Sequence, residues 1–179
     1  KQVSLGIAVA IPKNGFDDIL KMCVEIGIDF IQPLYSEHQI KRISNQDLKM
    51  IRWNTIINEA VEQCERLWRP ELMNILNIYE WVFSLKQKGH LSVSVTRNQN
   101  CINLQDWLKT QKIPKNNNAI VWNVIGPEGG WSKKELRFFE ENKVQFIKLS
   151  ETIMRSPTAA INSSSILNQW RNFDMKSFN

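Results

Sequence analysis

The sequence has few cysteines, and their spacing excludes two kinds of site. Cys23, Cys64 and Cys101 are the three cysteines in 179 residues, and no two of them form a CxxC pair. Thiols that are odd in number and far apart indicate neither a disulfide framework nor a zinc site. We therefore expect reduced thiols in or near the core. No other ligand cluster suggests zinc or magnesium, so we predict no bound metal.

Long apolar runs are also absent. No stretch approaches the roughly 20 apolar residues that a membrane-spanning helix requires. The apolar start, VSLGIAVAIPK at residues 3–13, is soon broken by Pro12 and Lys13 and is too short for a convincing signal peptide. We expect a cytoplasmic protein without a membrane partner, and the length of 179 residues fits one domain.

Dense charge and the familiar nucleotide-binding motifs are missing as well. The 23 basic and 18 acidic residues give a net charge of +5, but the basic residues are spread along the chain without a basic tract. Such an excess permits nucleic-acid binding without indicating it. Neither GxxxxGK[ST] nor GxGxxG occurs in the sequence. A P-loop nucleotidase is therefore disfavoured.

The sequence does contain an alternation of strand and helix patterns. Short apolar runs predict strands near residues 3–11, 30–34, 90–96, 120–125 and 144–149. Helical spacing and helix end signals predict helices near residues 16–26, 46–68, 78–88, 105–110, 132–141 and 158–173. This alternation predicts an α/β fold, a mainly parallel sheet with helices on both faces.

Three of the seven glycines stand in one short segment, VIGPEGGWSKKE at residues 124–135. An apolar strand precedes the glycines, and Ser132 with Glu135 forms a capping box that predicts a helix start. The loop between them consists of Gly126, Pro127, Glu128, Gly129 and Gly130. Its glycines allow positive φ and close approach to the backbone, which indicates a ligand loop. Glu128 argues against a phosphate ligand and favours one with positive charge or hydroxyl groups.

A second informative segment is LSETIMRSPTAAINSSSILNQW at residues 149–170. Arg155 stands just before the predicted last helix, which Ser156 or Thr158 can cap. Its guanidinium would then lie beside free backbone N–H groups, in an environment that suits an anion. The alternative for Arg155 is a surface ion pair.

Taken together, these segments resemble the paired signature of the SPOUT methyltransferases that methylate N3 of a uridine in small-subunit ribosomal RNA. IGPEGGWSKKE is followed about two dozen residues later by LSETIMRSPTAA. Earlier segments agree in order: IPK with Lys13, CVEIGIDFIQPLYSEH at 23–38, and RWNTIINEAVEQCERLWRPEL at 52–72. Five segments in the same order make the resemblance specific, and it spans nearly the whole chain.

The resemblance implies a fold, a cofactor and a site. It implies one SPOUT domain over residues 1–179 with a C-terminal deep trefoil knot, S-adenosylmethionine as cofactor, and a homodimer that acts on ribosomal RNA or the small ribosomal subunit. The implied cofactor-binding residues are Thr96, Gly126, Pro127, Gly129, Gly130, Leu149, Ile153, Met154 and Thr158. The implied catalytic residues are Arg155 and Glu128, and the implied RNA contacts are Lys13, Arg52 and Arg66.

Each of these implied roles has a physical content. Arg155 would stabilise negative charge on the pyrimidine oxygens or bind the phosphate of the target nucleotide. Glu128 would orient a cofactor hydroxyl or act as a base, and a structural role is its alternative. Arg52 and Arg66 would contact RNA or the partner subunit, with capping and interhelical hydrogen bonds as their alternative. His38 and His90 have no companion that makes a triad, so neither is assigned to catalysis.

The chain also departs from the family pattern. Ser150 stands where the family has glycine, Thr152 and His38 where it has arginine, and Pro157 where it has an acid. The N-terminal β-barrel domain of the family is not expected within residues 1–179, because the first predicted strand lies at residues 3–11; either the sequence is a fragment of a longer protein or its RNA recognition is reduced. Two alternatives remain open: a SPOUT enzyme that acts on another RNA, and a non-catalytic knotted protein that binds RNA or a cofactor.

Overall fold

The computed structural model describes residues 3–39, 45–85, 90–96, 101–112 and 119–173. The strands are β1 (Ser4–Ala10), β2 (Phe30–Tyr35), β3 (Glu71–Leu72), β4 (Leu76–Asn77), β5 (Leu91–Ser94), β6 (Ile102–Asn103), β7 (Ile120–Ile125) and β8 (Gln145–Lys148). The helices are α1 (Phe16–Ile26), α2 (Gln46–Gln63), α3 (Ile78–Ser84), α4 (Leu104–Lys109), α5 (Lys133–Glu141) and α6 (Ser156–Phe173). No helix within these ranges is long and apolar enough to cross a membrane.

The strands form one sheet, in the order β3-β2-β1-β7-β5-β8-β6, and β4 also pairs with β2. Every one of these pairs is parallel. The register places Gly6 of β1 opposite Phe30 of β2 on one side and opposite Trp122 of β7 on the other. Because all strands point the same way, the loops that follow them meet at one edge of the sheet.

Both faces of the sheet are covered by helices, as the sequence predicts. Leu5, Ile7 and Val9 of β1 belong to a buried cluster that includes side chains of α1, α2, α4 and α6. The opposite face holds a second buried cluster, in which Trp122 and other strand residues pack with α3 and α5. Strand side chains alternate between the faces, so β1 and β7 contribute to both clusters.

The predicted helix over 46–68 is too long, because α2 ends at Gln63. Glu65 has a φ of 55°, in the left-handed region, and the Arg66 N–H donates to the carbonyl of Val61. These features terminate a helix with its last carbonyls satisfied. Trp68 therefore lies outside the helix with 67% of its surface exposed, and not on the buried face that its spacing suggested.

Most other predicted boundaries are confirmed within a few residues. The last helix begins at Ser156, two residues before the predicted Thr158, and β5 is shorter than the predicted strand. The strands β3, β4 and β6 were not predicted, since each has only two residues. The end of the helix predicted over 78–88 lies outside the described residues.

Candidate functional site

A cavity of about 570 Å³ lies where the loops after β5, β7 and β8 meet. These loops carry the segments 94–96, 125–131 and 149–156. The predicted site residues among those that line the cavity are Thr96, Gly126, Pro127, Glu128, Gly129, Gly130, Leu149, Ile153, Met154 and Arg155. The structure thus brings together segments that are about 30 residues apart in the sequence.

The glycine loop, residues 126–130, is a tight turn at the end of β7. The Gly130 N–H donates to the carbonyl of Pro127 at 2.9 Å, and Gly130 has a φ of 71°. A Cβ on Gly126 would lie 3.0 Å from the Trp131 ring, because that indole packs across the glycine. Glycine is required at Gly130 by conformation and is favoured at Gly126 by the closeness of Trp131.

Trp131 fastens the end of the glycine loop to the neighbouring strand. Its indole N–H donates to the carbonyl of Ser94 at 3.0 Å. Its ring also meets Phe139 of α5 edge to face, at 5.1 Å between centroids. The glycine loop is therefore tied both to β5 and to the core beneath α5.

A buried polar network underlies the cavity. Asn123 of β7 is fully buried and donates to Ser163 of α6 at 2.7 Å and to Ser94 of β5 at 2.9 Å. The Ser92 hydroxyl donates to the Asn123 side-chain oxygen at 3.1 Å. Buried polar groups that are fully hydrogen-bonded fix one arrangement of the elements that carry them. The network holds β5, β7 and α6 together beside the loops that line the cavity.

Three further contacts join the glycine loop to neighbouring segments. The Ser156 hydroxyl donates to the carbonyl of Gly126 at 2.9 Å. The Lys13 backbone N–H donates to Oε1 of Glu128 at 3.0 Å. The Nδ1 atom of His38 lies 3.0 Å from the carbonyl oxygen of Gly130. The loops after β1 and β2 and the start of α6 thus all contact the glycine loop.

Arg155 stands at the N-terminal boundary of α6. Its carbonyl accepts the first helical hydrogen bond, from the Ala159 N–H at 2.9 Å. Its side chain is exposed and lines the cavity, and no carboxylate in the described part of the chain forms an ion pair with it. The surface ion pair that the sequence left open is not formed, so the guanidinium is available to a ligand.

The predicted cap of α6 is wrong, and one predicted cofactor contact, Thr158, lies outside the cavity lining. Neither Ser156 nor Thr158 caps the helix, because the helix already begins at Ser156 and the Ser156 hydroxyl is bonded to Gly126. Thr158 is exposed and does not line the cavity, whereas Ala159 does. Because α6 begins two residues earlier than predicted, Thr158 lies within its first turn and outside the cavity lining.

The family departures leave the cavity open. The Ser150 hydroxyl is engaged within its own loop, 3.0 Å from the Thr152 hydroxyl and bonded to the Thr152 N–H. Pro157 lies in the first turn of α6, where a missing N–H costs little, and contacts Gly15 after β1. Both departures are therefore accommodated by local contacts.

The three predicted RNA contacts differ in accessibility. Arg52 is ion-paired with Asp17 at 2.5 Å, and 63% of its side chain is exposed. The Arg66 side chain is only 13% exposed, and it donates to the carbonyls of Val24 and Ile28. Burial lowers the pKa of Arg66, and the nearby Asp29 opposes that shift. For Arg66 the geometry supports hydrogen bonds within the protein over an RNA contact. Lys13 lies next to the glycine loop.

Sequence reasoning missed the residues that support the site from behind. Trp131, Ser94 and Asn123 were not selected, although an asparagine in an otherwise apolar strand was a detectable signal. In the ranges that the structure describes, no group of three or more His, Cys, Asp or Glu side chains is placed to hold a metal ion.

Comparisons with known proteins agree with this geometry. A ribosomal RNA small subunit methyltransferase E from Synechocystis is 32% identical over 154 residues, which are 86% of this chain and 49% of that protein. The structure of the ribosomal RNA small subunit methyltransferase E from Neisseria gonorrhoeae bound to S-adenosyl methionine has a TM-score of 0.76 at 25% identity, and covers 94% of this chain and 65% of that one. A putative methyltransferase from Legionella pneumophila in complex with the same cofactor has a TM-score of 0.80 at 27% identity, covering 94% and 66%.

The chain spans about half to two thirds of the length of the curated relatives that it matches. The model of the RNA methyltransferase domain family matches residues 1–168. That range contains the whole sheet and all the loops that line the cavity. The chain therefore belongs to the RNA methyltransferase domain family.

Proposed function

We propose that this chain transfers a methyl group from S-adenosylmethionine to N3 of a uridine in 16S ribosomal RNA. The observation that carries the proposal is the convergence of three loops on one cavity at the carboxyl ends of parallel strands. Relatives named ribosomal RNA small subunit methyltransferase E match most of the chain, which supports the substrate class. The trefoil knot, the homodimer and the ribosomal RNA partner remain predictions from the family resemblance.

The residues that line the cavity fit the cofactor. A volume of about 570 Å³ lies within the usual range for pockets that bind small molecules. Backbone groups of the glycine loop and of residues 149–154 would hold the adenine and methionine portions, with Ile153 and Met154 supplying apolar contact. When bound, S-adenosylmethionine would supply an electrophilic methyl group on a positively charged sulfur. The Glu128 carboxylate suits that charge and the ribose hydroxyls.

Methyl transfer to N3 of uridine requires the loss of the N3 proton, which places negative charge on N3 and the pyrimidine oxygens until the methyl group is transferred. Arg155 is exposed at the cavity and forms no ion pair with the residues that the structure describes, so its guanidinium can bind those oxygens or the target phosphate. Glu128 accepts the Lys13 N–H with Oε1, and among the described residues nothing donates to its Oε2. Oε2 can therefore accept the N3 proton or a cofactor hydroxyl.

The decisive experiment measures 3-methyluridine by mass spectrometry. The purified chain is incubated with S-adenosylmethionine and either free 16S ribosomal RNA or small ribosomal subunits that lack the modification. New 3-methyluridine in either substrate supports the proposal. Cofactor binding without transfer to either substrate contradicts it and favours the non-catalytic alternative. Transfer to another RNA only would retain the methyltransferase activity and replace the substrate.

A further inference from the structure

His38 contacts the glycine loop from the segment that follows β2. Its Nδ1 atom lies 3.0 Å from the carbonyl oxygen of Gly130 and 3.3 Å from that of Gly129. Both neighbours are acceptors only, so Nδ1 must carry the hydrogen and donate it. A Cβ on Gly129 would lie 3.2 Å from the His38 Cβ, which shows how closely the two segments pack. Gly129 and His38 are 91 residues apart in sequence.

The segment that carries His38 is itself anchored. The Glu37 N–H donates to Oε1 of Glu135 at 2.9 Å, and the Tyr79 hydroxyl donates to the Glu37 carboxylate at 2.7 Å. Glu135 is fully buried, and its Oε2 accepts the Ser132 N–H in the capping box of α5. His38 therefore projects from a segment that is bonded on both sides to helices α3 and α5.

The glycine loop has few internal means of holding one shape. Its one backbone hydrogen bond among the described residues joins the Gly130 N–H to Pro127, and consecutive glycines have many accessible conformations. The external contacts of the loop come from Ser156 at Gly126 and from Lys13 at Glu128. The carbonyls of Gly129 and Gly130 are bonded by His38. The half of the loop that contains the two adjacent glycines thus depends on the imidazole.

We propose that His38 is a positioning residue, whose Nδ1–H holds the carbonyls of Gly129 and Gly130 and so fixes the glycine loop in the shape that binds the cofactor. The cofactor part of this role rests on the proposed function, whereas the loop-ordering part does not. The neutral ring carries its free electron pair on Nε2. His38 is not itself one of the residues that line the cavity, so it acts through the loop that it bonds.

Three substitutions separate the donor from the bulk of the ring. In His38→Asn the amide nitrogen is the same number of bonds from Cβ as Nδ1, whereas in His38→Gln it is as far along as Nε2. His38→Ala removes the donor altogether. His90→Ala is the control, because His90 is a half-buried histidine that pairs with Gln111 outside the cavity.

The first measurement uses the ligand-free protein. Amide hydrogen exchange at Gly130 reports the turn directly, and loss of one hydrogen bond should raise its rate roughly fivefold to tenfold. We expect that rise in His38→Ala and His38→Gln, and a change within about twofold in His38→Asn and His90→Ala. Nitrogen NMR should show Nδ1 as the protonated nitrogen of the neutral His38 ring. Unchanged Gly130 exchange in His38→Ala, or a proton on Nε2, would overturn the proposal.

The second measurement titrates S-adenosylmethionine into the same variants. Since an unordered loop must be ordered on binding, Kd should rise roughly fivefold to tenfold in His38→Ala and His38→Gln. His38→Asn should restore it, and kcat at saturating cofactor should change less than about twofold. If the parent protein binds no S-adenosylmethionine, the proposed function fails while the exchange data still decide the role of His38. If the parent binds and every His38 variant binds equally well, the positioning role fails alone.

Discussion

Arg155 differs from Arg52 and Arg66 in what its guanidinium contacts. Those two arginines bind groups of the protein itself. Arg52 pairs with Asp17 and Arg66 donates to two backbone carbonyls, while Arg155 lines the cavity without an ion pair in the described residues. An unpaired guanidinium beside a cavity is a strong donor for anionic or planar oxygens. Its lack of an internal role is what makes its removal informative.

We predict that Arg155→Ala lowers kcat by roughly 100-fold to 1,000-fold while cofactor affinity changes less than about twofold. The expectation follows from removing a donor that acts on charge developing in the transition state. Single-turnover transfer and calorimetric titration with S-adenosylmethionine provide the two numbers. Arg137→Ala is the matched control, since Arg137 is an exposed arginine of α5 that does not line the cavity. Loss of cofactor binding in Arg155→Ala would show that the role is misassigned.

Glu37 connects ionisation to the segment that carries His38. Hydrogen bonds from the Ser132 and Tyr79 hydroxyls, aided by Lys134, lower the pKa of Glu37 from its ordinary value of 4.5. A carboxyl whose pKa is lower in the folded state adds stability above its unfolded pKa and loses it as the pH falls through the folded value. The contribution of Glu37 is thus complete at neutral pH, begins to decline below about pH 4.5, and is lost as the pH falls through the lower pKa of the folded state.

We therefore predict that Glu37→Gln is less stable than the parent at pH 7, and that the difference in stability shrinks as the pH is lowered from 4.5 to 3. The measurement is denaturant unfolding of both proteins at several pH values. A difference that persists unchanged to pH 3 would mean that the carboxylate charge is not the source of the stability. Tyr79→Phe should reproduce part of the effect, because it removes one of the donors to Glu37.

At the residue scale, the sequence predicts the side chains that line the cavity more successfully than the side chains that support the cavity lining. Glycine spacing located the turn, and the family motif located Arg155, since both depend on short local patterns. The His38 contact with Gly129 joins segments 91 residues apart, and nothing local indicates it. Asn123 likewise has its partners on two other elements, so its role follows only from the folded sheet.

At the scale of structural elements, the glycine loop is sensitive to any single substitution that adds a side chain. We predict that Gly129→Val abolishes measurable S-adenosylmethionine binding, since even its Cβ would lie 3.2 Å from the His38 Cβ. Far-ultraviolet circular dichroism should remain that of the parent, because the loop lies outside the sheet. Gly129→Val combined with His38→Gly removes the His38 Cβ and so relieves the contact without restoring the donor, and it should remain impaired. Normal binding by Gly129→Val would place the cofactor elsewhere.

Strand β1 tolerates substitution even less at Gly6, which lies opposite Trp122 of the neighbouring strand β7. A Cβ on Gly6 would lie 2.3 Å from the Trp122 ring, which is 3% exposed and packed against Trp81. We predict that Gly6→Ala destabilises the fold by about 2 kcal/mol, the usual scale of overpacking in a core. Equilibrium unfolding measures the loss. In a Trp122→Leu background the cost of Gly6→Ala should shrink, and an equal cost in both backgrounds would exclude the ring as its cause.

Element boundaries were predictable where local signals set them. Gly27 ends α1 and the Ser132–Glu135 box starts α5, as expected from their residue types. The end of α2 is different, because apolar spacing continues to Trp68 while the left-handed Glu65 terminates the helix. The hydrogen bonds of Arg66 to the carbonyls of Val24 and Ile28 support that ending, and an argument from periodicity cannot detect such tertiary contacts.

Across the whole molecule, Asp29 joins elements from both ends of the chain. Its carboxylate accepts the Leu5 N–H at 2.9 Å and pairs with Arg171 of α6 at 2.5 Å and with Arg66 at 3.5 Å. Asp29 precedes β2, so this cluster lies at the amino edge of the sheet, opposite the cavity. Stability and ligand binding are thus supported at opposite edges.

We predict that Asp29→Asn lowers the free energy of unfolding by about 3 kcal/mol, because two largely buried guanidinium groups lose their counter-charge. S-adenosylmethionine affinity of the folded protein should stay within about twofold of the parent. Asp106→Asn is the control, since its ion pair with Lys109 is exposed and contributes little. A large loss of affinity in Asp29→Asn would mean that the two edges are coupled.

The bond between Arg171 and Asp29 can form only late in synthesis, because it joins distant parts of the chain. The two residues are 142 positions apart, and α6 packs on α1 and β1, which leave the ribosome before it. At about 5 to 20 residues per second, the first helix waits on the order of ten seconds for its last neighbour. Throughout that interval the nascent chain carries an apolar surface that α6 does not yet cover and a carboxylate that lacks its Arg171 partner. The time at risk of aggregation is therefore governed by the rate of translation, and not by the folding of any single element.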